Sequence, residues 1–184
     1  MGILLEFAPF IMFAVCDRIV GPNIGLIAAA LVAAALIIRD LVTPGRHLKL
    51  LAIGTFVLFA GLAAYALLGH VQWSLYGVRL WVDAGLLIVV LLTMVIGRPF
   101  TLQYARDQVD PALWTSPLFI RTNYVITGAW AVAFLILALA DWVLLRGFGI
   151  PKVFGIAVII GVLYAVFKFT SWYPERVRAG ATKA

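Results

Sequence analysis

Apolar positions fill this chain in six long runs, 3–20, 24–42, 50–68, 78–97, 124–145 and 152–173, and polar positions collect in the links between them. A helix needs about 20 apolar residues to cross a hydrocarbon core of roughly 30 Å, so each run has the length of a membrane crossing. The pattern predicts an all-α polytopic transmembrane helical bundle, with residues 1–184 as a single integral membrane domain. Glu6, Pro9 and the Asp17-Arg18 pair interrupt the first run, so five or six crossings are expected. The long polar interruption, 98–123, separates four runs from a terminal pair.

Punctuation within and between the runs refines this. Pro22 suits the first helical position of the second run, after the turn at Gly21. Gly25, Ala29 and Ala33 recur every four residues, a small-residue stripe along which another helix can approach, which makes the second run central. Ala157, Gly161 and Ala165 form a similar stripe in the last run. The tight link 146–151 predicts that the last two runs form an antiparallel hairpin, and Pro174 is expected to stop the final helix and leave a polar tail. Trp73, Tyr76 and Trp81 surround the link after the third run, as amphipathic rings do at headgroup level.

The 98–123 stretch has its own pattern. Arg98-Pro99 closes the fourth run, Asp110-Pro111 is an N-cap followed by a helix-starting proline, and Ser116-Pro117 breaks the turn that follows. Phe100, Leu102, Tyr104, Val109, Leu113 and Trp114 give it enough apolar surface to lie flat on the membrane, with Arg106, Asp107 and Gln108 facing water. It is expected to be an interfacial loop, and Arg98, Tyr104, Arg106, Trp114 and Arg121 are its candidate interaction residues.

Composition agrees: 65% of residues are hydrophobic and 12% charged, with a mean hydropathy of +1.10, against about 25% charged in soluble domains. The net charge of +6 is spread singly over the ends of the runs, without the basic stripe of a nucleic-acid binder. Its distribution sets an orientation instead. Arg39, Arg46, Lys49, Arg98, Arg106, Arg121, Lys168, Arg176, Arg178 and Lys183 fall on one side, and Arg18, Arg79, Arg146 and Lys152 on the other. Ten against four places 98–123 and the C-terminus in the cytoplasm. The first run lacks a basic n-region and a small-residue cleavage site, and is read as structure.

Candidate chemistry is sparse. Cys16 is alone, and His47 and His70 flank the third run, roughly 35 Å apart at ~1.5 Å per residue, so they cannot share a ligand. No HExxH, phosphate loop or nucleophile elbow occurs, and neither an enzymatic activity nor a cofactor is expected. The acidic residues inside apolar runs are more informative. Asp17, Asp83 and Asp141, with Arg18 and Arg79, fall in one layer toward the outer face, where they form a polar pocket or ion path, or else reach headgroups and water from shallow depth. Glu6 and Lys168 are at comparable depth on the inner side and are expected to snorkel. Tyr65, Trp130 and Tyr164 lie deep, where helix packing accounts for them.

Four short patterns occur in order: Leu5-Glu6-Phe7-Ala8-Pro9-Phe10-Ile11-Met12-Phe13; Asn123 with Trp130-Ala131-Val132-Ala133-Phe134; Lys152-Val153-Phe154-Gly155; and Tyr173-Pro174-Glu175. Together they resemble the intracellular septation protein A family of small bacterial inner-membrane proteins, of which this chain looks like a divergent member. The resemblance implies a structural or interaction role in cell division or envelope maintenance, exercised through the bilayer and membrane-protein partners or self-association. The alternatives from the residues themselves are a small transporter or channel using the acidic layer, or an accessory subunit of a larger membrane complex.

Overall fold

The computed structural model describes residue 5 and residues 7–44, 47–147 and 151–181. The start of the first run at residue 3, Glu6 and its relation to Lys168, Arg46, the centre of the 146–151 link and Lys183 lie outside the described residues. Among those described the fold is all-α: α1 (Ala8–Ile19), α2 (Pro22–Val42), α3 (Leu50–Leu68), α4 (Leu75–Val95), α5 (Phe100–Arg106), α6 (Pro117–Arg146) and α7 (Lys152–Ala181), with a 3-10 turn at Pro111–Leu113. Five of them, α2, α3, α4, α6 and α7, are long and apolar enough to cross a membrane. The chain is a polytopic integral membrane protein with five candidate spans. α1 has 12 residues, about 18 Å of helix, well short of a crossing.

The chain divides into two compact units, residues 1–89 and 90–184, and the division falls inside α4. In the first unit α2 packs on both α1 and α3. Its small-residue stripe is the reason: Gly25, Ala29 and Ala33 are all buried. Gly21, at φ +101°, makes the turn that returns the chain. A Cβ on Gly25 would stand 3.1 Å from the Asp17 backbone nitrogen and 3.3 Å from the Phe13 carbonyl oxygen, so only glycine lets α1 lie this close. α3 and α4 meet through Gly54 against Val89 and Gly85 against Leu58. Ser74 caps α4 by accepting from the Gly77 N–H at 3.1 Å, which starts the helix three residues before its apolar run.

In the second unit α6 packs on α7 and on α5. α4 ends in a Schellman closure: Gly97, at φ +78°, donates to the Met94 carbonyl and Arg98 donates to Thr93. Asp110 caps the 3-10 turn as its sequence indicates, accepting from Ala112 N–H at 2.9 Å. Ser116-Pro117 breaks the turn as expected, and it also begins α6, with proline at the first turn, seven residues before the apolar run. Pro174, by contrast, does not stop α7, which continues to Ala181 with Pro174 inside it, leaving the Thr170 carbonyl without its helical donor. α6 and α7 each have 30 residues, about 45 Å of helix, so about 15 Å of each exceeds the hydrocarbon core.

The second small-residue stripe is not an internal contact: Ala157, Gly161 and Ala165 are exposed, and nothing lies within 4 Å of a Cβ on Gly161. The face of α7 turned to α6 carries instead Gly155, against Leu144, and Val166. Of the deep aromatic residues only Trp130 is a core residue, at 0% exposure; Tyr65 and Tyr164 are exposed.

Candidate functional sites

The acidic layer resolves into residues of different surroundings. Asp17 lies near the C-terminal end of α1, with its side chain fully buried in the first unit. One of its oxygens faces an Arg79 Nη at 3.4 Å, and Arg79, in the first turns of α4, is itself 15% exposed at the side chain. The other oxygen, Oδ1, has no hydrogen-bond partner among the described residues. Asp83 follows Arg79 by one helical turn and is half-buried, whereas Arg18 is exposed. Asp141 is buried in the second unit, on α6. The structure therefore brings together Asp17 and Arg79. Asp17 and Asp141 are buried against protein.

Chemically, an arginine beside a carboxylate makes a neutral pair. Such a pair ties the short α1 to α4, because separating the two groups would leave a charge in an apolar setting. Among the described residues no group of three His, Cys, Asp or Glu side chains could hold a metal ion, and His47 and His70 are exposed.

The second site is the connection 98–116. Three of its apolar side chains turn inward, Phe100, Leu102 and Tyr104 being buried in the second unit, while Val109 and Trp114 are half-buried and Leu113 is exposed. The Phe100 ring meets Trp130 edge-on at 6.2 Å. The Thr101 hydroxyl lies 2.9 Å from the Asn123 carbonyl, to which it donates, and 2.7 Å from the Thr127 hydroxyl. The turn entering α5 is fastened by Phe100 N–H donating to Thr93 Oγ1, and by Tyr124 OH donating to the Met94 carbonyl at 3.3 Å. Arg106 lies over the Trp114 ring at 5.6 Å, and Trp114 Nε1 donates to the Val109 carbonyl. What remains for solvent is a polar face that includes Arg98, Asp107, Gln108, Asp110 and Arg121.

Sequence reasoning passed over Thr101 and Thr127, which fasten this connection, and named Asn123 only within a family pattern, without this role. Their signal was present: Asn123, Thr127 and Trp130 follow helical spacing on one face, once α6 is started at Pro117. Trp130 also reaches α7, donating from Nε1 to Thr170 Oγ1 at 3.1 Å, while Thr170 donates to the Val166 carbonyl. The buried Asp40 was passed over as well; Arg39 donates to it from Nε and Nη2 at 2.9 and 2.7 Å. No family model, curated protein or solved structure matches this chain.

Proposed function

We propose that this protein is a multi-pass component of the bacterial inner membrane that works by contact with other membrane proteins, in a septation protein A-like role in cell division or envelope maintenance. The observation that carries this reading is the docked connection between α4 and α6. Its backbone is fastened by Thr93, Thr101 and Tyr124, so the polar face bearing Arg98 and Arg121 has a fixed shape, as a recognition surface requires. The count of Lys and Arg, ten of fourteen on the side assigned to this connection, supports a cytoplasmic position for it. The Asp17–Arg79 pair favours the same reading over transport, since its carboxylate is already neutralised by a neighbouring helix.

A single-cysteine form tests both parts. With Cys16→Ser as background, a cysteine at Thr115 should resist membrane-impermeant maleimide on intact cells, while one at Gln72 should react. A bifunctional crosslinker placed at Thr115 should capture a discrete protein that co-purifies in mild detergent, and Arg98→Glu with Arg121→Glu should abolish capture. Labelling of Thr115 from outside, or recovery of a lone monomer without a crosslinked product, would overturn the proposal.

A further inference from the structure

The outward face of α7 ends in a surface hollow of about 440 Å³ lined by Tyr164, Phe167, Lys168, Ser171, Trp172 and Glu175. Tyr164, Lys168, Ser171 and Glu175 recur every three or four residues, so they form one stripe along the helix. Counting about 20 residues from Val153, where the span begins, brings the hydrocarbon boundary to Trp172 and Tyr173, rings of the kind that settle at headgroup level. Lys168 therefore stands just beneath that boundary and Glu175 just above it, about 10 Å apart along the axis. The ammonium of Lys168 is held 5.7 Å from the centre of the Tyr164 ring, and its stem can rise toward phosphate level. Glu175 is exposed and makes no ion pair among the described residues.

Arg176, at the level of Glu175, is drawn over the Trp172 ring at 5.2 Å and does not line the hollow; among the residues that do, the order of charges along the bilayer normal, cation deeper and anion further out, selects the ligand. A phospholipid with a phosphate nearer the hydrocarbon and an ammonium beyond it presents the complementary order. We propose that this stripe binds one phosphatidylethanolamine molecule. Lys168 takes the phosphate and Glu175 takes the primary ammonium. Ser171 Oγ, whose hydrogen is committed to the Phe167 carbonyl at 3.3 Å, accepts an ammonium N–H, and Tyr164 and Ile160 flank the acyl chains. Phosphatidylglycerol satisfies Lys168 alone. Phosphatidylcholine offers Glu175 and Ser171 a quaternary cation with no N–H to donate.

Native mass spectrometry of the full chain, purified and equilibrated with equimolar phosphatidylethanolamine, phosphatidylglycerol and phosphatidylcholine of identical acyl chains, reads the preference directly. The wild type should retain phosphatidylethanolamine over each competitor by roughly two- to fivefold, the range an exposed ion pair supplies. Glu175→Gln should bring phosphatidylethanolamine down to the level of phosphatidylglycerol without changing the latter, and Lys168→Gln should lower both. Equal retention of the three lipids by the wild type would overturn the proposal without any variant. So would an unchanged ratio in a Glu175→Gln protein whose tryptophan emission and elution match wild type.

Discussion

The Asp17–Arg79 pair gives the sharpest test of how the first unit is held, because the two charges are unequally buried. Arg79→Met would leave Asp17, whose side chain has no exposure, without its counter-charge. Removing one partner of a buried pair costs about 3–5 kcal/mol. The 3.4 Å separation exceeds the roughly 2.7–2.9 Å of a charge-assisted bond, and Arg79 is partly exposed, so the lower end, about 3 kcal/mol, is the expectation. Asp17→Asn removes the less solvated charge and leaves a guanidinium that can still reach water, so its cost should be smaller, about 1–2 kcal/mol. The double variant buries no charge at this place. It should lie within about 1 kcal/mol of Asp17→Asn alone, a non-additive cycle.

Unfolding titrations in mixed micelles give the free energies, and the lone Cys16, beside Asp17 on α1, gives a local readout. If the pair fastens α1 to α4, Arg79→Met should accelerate thiol labelling at Cys16 most, and the double variant should return it to about the rate of Asp17→Asn, which remains faster than wild type. Additive costs with unchanged Cys16 labelling would refute the argument, since the pair would then contribute no attachment.

Two further outcomes follow from packing. Gly25→Ala should cost about 1–3 kcal/mol in the same titrations, because its Cβ meets the backbone of α1 at 3.1 Å, whereas Gly161→Ala, with nothing within 4 Å, should be neutral or stabilise by up to about 1 kcal/mol. Trp130→Ala should cost about 3–5 kcal/mol and Trp130→Phe about 1–2 kcal/mol, the difference being the ring that packs against Phe100, Phe134 and Phe167; a similar cost for the two would remove Trp130 from the centre of the second unit.

How much of the fold can be read from the chain depends on what hydropathy measures. It reports which residues lipid will tolerate, and there it located α2, α3, α4, α6 and α7 and singled out the doubtful first run. A helix, however, extends as far as its hydrogen bonds do. α6 runs through Pro117, Arg121, Thr122 and Asn123 before its apolar stretch, and α7 runs through Glu175, Arg176 and Arg178 after its own. Those residues are polar because they lie beyond the hydrocarbon, not because the backbone has left the helix. Proline has two readings for a related reason. Pro117 both breaks the turn before it and opens α6, since it lacks only a donor that the first turn does not use, whereas at Pro174 the helix continues with one helical donor missing.

The same distinction explains why the candidate sites were half legible. Small residues at spacing four marked a contact at Gly25–Ala33 and an open face at Ala157–Ala165, and periodicity alone contains nothing that separates the two cases. Separation came from what each glycine faces: the backbone of a neighbouring helix at Gly25, and open space at Gly161. Likewise Phe100, Leu102 and Tyr104 had the composition of a membrane-lying segment, but the hydroxyl of Thr101 between them needed partners. α6 supplied them in Asn123 and Thr127, which turned the apolar side inward and left Arg98 and Arg121 in water. A polar residue within an otherwise apolar stretch is thus the better guide to docking, because its hydrogen bond has a direction and lipid contact does not.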